Sequence, residues 1–201
     1  MLLAIAFFAG WVPTALESIS REPTPGWKRF KTPDVSLDLP TSYSGGETNG
    51  ADLDEVVSTL RGIGDEDKSS LADAIQAGRT QFAFWAFDLD SLSSASFPTG
   101  VSISSTAMVL DSNVGLADVA NLIAQASPQF DVKDSEPVQL GSFQGHRLKI
   151  ATRSLGVDIE QAMYLVRKGN TVWKITFATP ASEFETRLTT FDQSVQSLAL
   201  N

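Results

Sequence analysis

Hydrophobic positions along the chain follow two rhythms. Val35, Leu37 and Leu39 alternate with Ser36 and Asp38, the two-residue period of a strand with one buried and one wet face. Trp27 to Phe30 precedes them as another short strand, and Pro33 and Pro40 punctuate the pair. Thr41 to Gly50 is rich in Gly, Ser and Thr and reads as a loop. Leu53, Val56, Val57 and Leu60 then recur at helical spacing, with Gly62 and Gly64 as the stop. A second helix is expected from Ser70 to Ala77, started by a Ser70/Asp73 capping box and ended at Gly78. The two helices form a hairpin. Gln81 to Phe87 is apolar on both alternating faces, Phe82 and Phe84 pointing one way and Trp85 and Phe87 the other. That pattern predicts a strand covered on both sides.

The rhythm continues after a Ser-rich loop, Asp88 to Gly100. Val101 to Val109 reads as a strand. Leu116, Val119, Ala120 and Ile123 read as a third helix, capped by Asp111 or Ser112 and stopped by Ser127-Pro128. From Phe130 onward strands dominate: 130–132, 138–140, 145–151, 161–167 and 171–177. Lys168-Gly169-Asn170 is a tight hairpin signal between the last two. Phe184, Leu188, Phe191, Val195 and Leu198 define a closing helix, with Thr179-Pro180 as cap and first-position proline. Local hairpins with helices inserted predict an α+β fold and not regular β-α-β winding. A chain of 201 residues without visible repeats fits one globular domain.

Composition narrows the chemistry. There is no Cys, which excludes disulfide scaffolds, zinc ribbons, iron–sulfur clusters and thiol nucleophiles. One His excludes sites that need two imidazoles. The net charge of −9 sits in the first 130 residues, and no basic stripe offsets it. Such a surface repels phosphate backbones, so no nucleic-acid partner is expected. The densest acidic stretch, Glu47 to Asp73, reads as a solvated helical face; the alternative is a weak divalent-cation or basic-partner patch.

Leu2 to Val12 (LLAIAFFAGWV) is too short for a membrane span but has the length of a signal-peptide core. It lacks a basic n-region, and Pro13 spoils a cleavage site near Ala15. Segment 1–16 is therefore read as a signal peptide or membrane tether, with a buried N-terminal helix as the alternative. Residues 17–25 read as a polar linker, and 26–201 as the single globular domain. Export to the periplasm or outside, or membrane tethering, is the expected location.

Few residues could carry a reaction. His146 shares a strand face with Leu148 and Ile150, and reads as a hydrogen-bonded core His; the alternative is a general base in a hydrolase. Ser142, Ser154 and Asp158 are near in sequence, but no G-x-S-x-G elbow is present. Asp88 and Asp90 fail the calcium-loop pattern and read as solvated turn residues. Phosphate-loop and dinucleotide fingerprints are lacking, and no cofactor is expected. Among the aromatics, Trp27 at a strand start and Phe97 in a loop are the candidates for contact with a partner.

The later part of the chain runs VSISSTAMV, LADVANLIAQAS, VQLGSFQGHRLKIAT and AMYLVRKGNTVWKITFATP, then EFETRLTTFDQSVQSLAL. With the opening WKRFKTPDVSLDLP, this order resembles the PsbP-like superfamily, over roughly residues 26–200. Gly145, Gly169, Phe184, Phe191 and Ser197 carry the resemblance as fold-setting positions. The hairpin at 52–77 lies outside it and reads as an insertion. The resemblance implies an α/β/α sandwich with a central antiparallel sheet flanked by helices. It also implies a non-enzymatic accessory role, docking to a protein partner in the cell envelope or at a membrane. No metal-ligand set of the photosynthetic member has a match here, so no residue is carried over.

Overall fold

The strand-like stretches assemble into two antiparallel sheets. The computed structural model describes residues 22–94, 97–108, 114–154 and 156–201. The expected segment 1–16, most of the linker 17–25, and the expected caps Asp111 and Ser112 lie outside the described residues.

The small sheet contains β1 (Trp27–Lys31), β2 (Val35–Pro40) and β10 (Ala199–Leu200), with β2 in the middle. The large sheet has seven strands: β3 (Tyr43–Gly46), β4 (Phe84–Asp88), β5 (Gly100–Ala107), β6 (Asp131–Leu140), β7 (Phe143–Ser154), β8 (Val157–Lys168) and β9 (Thr171–Pro180). Its spatial order is β3-β4-β5-β9-β8-β7-β6, every neighbouring pair antiparallel. The described residues also form five α-helices: α1 (Ala51–Gly62), α2 (Glu66–Gly78), α3 (Leu89–Ser94), α4 (Leu116–Ala126) and α5 (Phe184–Gln196).

Strand alternation gives each face of the large sheet its own core. One face carries Val101, Ile103, Tyr164, Ile175 and Phe177, packed against α5 through Phe184, Phe191 and Val195, and against Leu37 and Leu39 of the small sheet. Phe177 stacks on Phe191 at 4.6 Å between centroids. The other face is split. At the β3–β4 end, α1 and α2 bury Leu53, Val56, Leu60 and Ile75 against Phe87. At the β6–β8 end, α4 buries Val119 and Ala120 against Leu148, Ile150, Met163 and Leu165. The architecture is thus the expected α+β sandwich, an antiparallel sheet between helical layers, with the small sheet sharing one outer layer with α5.

Several boundaries depart from the sequence pattern, each for a local reason. The expected loop 41–50 contains β3. Gly45, with φ near +129°, lies so close to β4 that a Cβ would meet the Trp85 carbonyl oxygen at 2.3 Å, so glycine here enables pairing and does not break it. The expected loop 88–100 contains α3, held by buried Leu92 and by Ser91, whose hydroxyl donates to the Asp88 carbonyl and accepts from Thr99 N–H. Helix α2 starts before Ser70, because the Asp65 carboxylate caps the backbone N–H groups of Asp67 and Lys68. The strands expected at 130–132 and 138–140 are one strand, β6. Its register shifts between Val132 and Asp134, and as a largely exposed edge it has no apolar alternation to announce it. Thr179-Pro180 still belongs to β9, where Thr179 hydrogen-bonds Thr99 across the sheet at 2.7 Å, and a 3-10 turn at 181–183 leads into α5. Among the described residues no helix is long and apolar enough to cross a membrane.

Candidate functional site

The split on the second face creates a cleft. Helices α1 and α2 cover one end of the sheet, and α4 covers the other. Between them the sheet surface over β5 and β9 carries small side chains: Gly100, Ser102, Thr176 and Ala178. Register explains the grouping. Gly100 lies opposite Ala178 and Ser102 opposite Thr176, while Gln161 and Met163 of β8 continue the same two rows. Large side chains wall this low floor, leaving a volume of about 220 Å³.

One wall is aromatic. Phe82 and Trp85 lie 4.6 Å apart, and Trp85 stacks on Phe87 at 5.9 Å. Gly100 allows that wall to lean over the floor, since a Cβ there would come within 2.7 Å of the Phe87 ring. Phe97 and Pro98 rim the cleft, and Phe130 and Met163 line the α4 side. Phe97 is half-buried and packs at the edge of the hairpin core.

Four polar side chains interrupt the apolar lining: Ser102, Gln161, Lys174 and Thr176. Lys174 makes no hydrogen bond or ion pair among the described residues, and burial lowers its pKa below the ordinary lysine value. The Thr176 hydroxyl, on the same face of β9, is buried and has no hydrogen-bond partner among the described residues. Among the described residues, no carboxylate and no imidazole lines the cleft. It is therefore equipped to hold an apolar group with a hydrogen-bonding or anionic end.

The residues singled out from the sequence are not brought together. Trp27 is half-buried on β1, facing away from the Phe30 side that joins the core, so it sits on the outer face of the small sheet. Phe97 alone reaches the cleft. His146 does face the α4 side with Leu148 and Ile150, and is 6% exposed. Its register partner Leu165 separates it from Lys174. Its Nε2 hydrogen-bonds Ser135 Oγ at 2.8 Å, and among the described residues no carboxylate bonds its ring. The partner is thus Ser135 of the neighbouring strand, while Ser142, Ser154 and Asp158 play no part. His146 is buried and hydrogen-bonded to a neighbouring strand, the arrangement in which a buried polar side chain is satisfied.

The carboxylates have structural partners. Asp88 is buried, in contrast to the solvated turn residue expected. Its Oδ2 accepts from Arg187 at 2.7 Å, while Asp90 is exposed. In the acidic stretch Asp54 pairs with Arg79, Asp73 pairs with Arg61 and Asp65 caps α2. Among the described residues no three His, Asp or Glu side chains converge as a metal site would require. On the opposite face of the sheet, Arg147 reaches Asp192 of α5 and Glu136, and the Tyr164 hydroxyl donates to Asp192 at 2.7 Å. Burial, then that hydrogen bond, raises the Tyr164 pKa. Burial works against the Arg147 charge, but its carboxylate partners outweigh it and raise its pKa. This network anchors α5 and lies away from the cleft.

The fold these elements make is PsbP-like. It is similar to cyanobacterial PsbP (CyanoP) from Synechocystis, with a TM-score of 0.54 and 12% identity over 92% of this chain and 99% of that one. It is also similar to LpqN of Mycobacterium tuberculosis, a protein involved in cell envelope biogenesis. There the TM-score is 0.51 and the identity 12%, over 87% of this chain and 90% of that one. No protein-family model matches the chain, and no curated protein matches it significantly. At this identity the likeness is one of fold.

Proposed function

We propose that this chain is a non-enzymatic, exported or membrane-tethered accessory domain that docks to a larger protein assembly in the cell envelope, and that the aromatic cleft is its docking site. The observation that carries this reading is the composition of the cleft. It offers an aromatic wall and a floor of small residues and, among the described residues, no pair of the kind that catalyses acyl, phosphoryl or glycosyl transfer. The apolar segment Leu2 to Val12 supports the envelope setting, as does the fold shared with LpqN. Half-buried aromatics in a concave site are suited to anchoring a partner, because they remove much apolar area from water at little entropic cost.

The test is cross-linking of the tagged, full-length chain in cells, with mass spectrometry of what is captured. A reproducible envelope protein, cross-linked to residues of the cleft rim, is the expected result. Capture confined to the outer face of the small sheet, or no capture, would count against the cleft as the docking site.

A further inference from the structure

We propose that the outer face of the small sheet rests on an anionic membrane surface, with Trp27, Lys28 and Lys31 of edge strand β1 as its contacts, so that the cleft opens away from the membrane. This rests on the membrane setting proposed above and adds which face of the domain meets the lipid.

Charge divides the molecule into two poles. Residues 27–40, which contain β1 and β2, carry three cations and two anions, whereas residues 47–90 carry ten anions and three cations. The fold puts these stretches on opposite sides. The small sheet lies with α5 on one face of the large sheet, and the acidic hairpin α1–α2 packs on the other, beside the cleft. Stacked layers are about 10 Å apart, so two layers place the hairpin roughly 20 Å from the small sheet. The Debye length at physiological salt is about 8 Å, so a surface lying on the small sheet is largely screened from the hairpin.

The cations of the first pole are concentrated in β1. Its sequence, Trp-Lys-Arg-Phe-Lys, forms an edge of the small sheet. Alternation sends Phe30 into the core and leaves Trp27, Arg29 and Lys31 on the outer face. Arg29 is neutralised by Asp38, to which it donates two hydrogen bonds of 2.7 and 2.8 Å. Lys28 and Lys31 are exposed, and neither has a carboxylate partner among the described residues. Lys28 Nζ lies 4.5 Å from the centre of the Phe30 ring, which holds it at the rim of the strand. Of the two anions, Asp38 is engaged by Arg29, and Asp34 lies beyond Lys31 in the connection to β2. Trp27 is half-buried beside Pro40, its register partner. A tryptophan flanked by free lysines is the side-chain set that seats a protein between water and lipid headgroups.

Connectivity selects lipid over an acidic protein as the occupant. The apolar run Leu2–Val12 precedes β1, and the fourteen residues 13–26 join them. Even fully extended, a joint of that length reaches only about 50 Å. Where the run is held at a bilayer, β1 is the first strand of the domain to follow it, and its contact with the lipid is intramolecular. Two free lysines are then enough, because each one near an anionic surface strengthens binding severalfold.

The experiment is sedimentation of the full-length protein at physiological salt with vesicles of phosphatidylcholine alone, and with vesicles containing about a third phosphatidylglycerol. Partition into the anionic vesicles is expected to be at least tenfold stronger. Lys28→Glu/Lys31→Glu should abolish that preference and leave partition into neutral vesicles unchanged. Lys133→Glu/Arg153→Glu makes the same change of net charge at exposed positions of β6 and β7, and should keep the preference. Loss of the preference in both double variants would overturn the assignment to β1, as would its persistence in Lys28→Glu/Lys31→Glu. Orientation has its own readout, since a chain without cysteine can be labelled at single sites. An environment-sensitive dye should shift to the blue on anionic vesicles at Ser36→Cys, opposite Lys31 on the small sheet, and not at Leu122→Cys on α4. A shift at Leu122→Cys, or at neither position, would overturn the orientation. If the wild type binds neutral and anionic vesicles equally, the inference fails and the membrane-tethered reading stands. If it binds neither, both fail.

Discussion

Lys174 concentrates the consequences of the fold in one residue. Burial places its folded pKa below the ordinary 10.5 that it has in the unfolded chain. Between the two values the unfolded chain binds more protons, so stability rises with pH across that window. Below the folded pKa the cost of the buried charge is felt in full. Lys174→Met should therefore stabilise the domain at pH 7, where the wild type carries the cost of the buried charge. Urea unfolding at pH 7 and pH 9.5 checks this, with the gain shrinking at the higher pH. A variant less stable than the wild type at pH 7 would show that the ammonium is a structural asset. Tyr43 and Tyr164 act in the opposite sense, since burial raises both phenols above their ordinary 10.0. Their contribution is intact below pH 10 and is lost as pH rises from there towards their folded values. The sequence pattern did not reveal Lys174 or Thr176. They alternate with Trp173, Ile175 and Phe177 and look like the wet face of an ordinary strand. Their enclosure comes from helices far away in the chain. Phe97 was legible because an aromatic in a Ser-rich loop is conspicuous. The face of His146 was legible from alternation, but its partner Ser135 depends on the β6–β7 register, which no local pattern encodes.

At the scale of elements, periodicity succeeds where an element is half-buried and fails where it is all wet or glycine-rich. Helix α1 and strands β2, β8 and β9 have strong apolar patterns and lie where these predict, although β8 begins four residues before the expected 161 and β9 runs three beyond the expected 177. Strand β6 is an exposed edge, and β3 is a short edge strand that ends in two glycines, so both escape the same reasoning. β3 also bears on the cleft, because it pairs with the strand that carries Trp85 and Phe87. Gly45→Ala should strain this pairing, since the new Cβ would meet β4 backbone at 2.3 Å and the position has φ near +129°. A loss of at least about 2 kcal/mol is expected, measured by chemical denaturation. Gly46→Ala is the control, because a Cβ there meets nothing within 4 Å. Equal effects from the two would mean that backbone conformation, and not the close approach, governs this edge. Amide exchange should localise the Gly45→Ala loss to β3 and β4, with α5 and its Arg147–Asp192 anchor remaining protected.

The whole molecule combines a large apolar core, built without cysteine, with a cleft left between two separate helical covers. A domain of this size buries about 70% of its unfolded surface, which is ample for autonomous folding. Residues 22–201 are predicted to fold cooperatively in chelator-containing buffer, with a melting temperature unchanged by millimolar calcium. A rise in melting temperature with calcium would point to a native-state cation site in the acidic stretch 47–73, since only binding to the folded state raises stability. The resemblance read from the sequence reached the fold, because fold-setting glycines and core aromatics are distributed along the chain. It did not reach the cleft, which arises where the α1–α2 hairpin, outside that resemblance, faces α4 across the sheet. The claim that this cleft is a docking site is tested most directly by in-cell cross-linking of three full-length proteins. These are the wild type, Phe97→Asp at the cleft rim, and Leu122→Asp at an exposed position of α4 that is 55% accessible. The account predicts one envelope protein captured by the wild type and by Leu122→Asp, and lost with Phe97→Asp although that variant keeps its circular dichroism and melting temperature. Undiminished capture by a folded Phe97→Asp protein would contradict it.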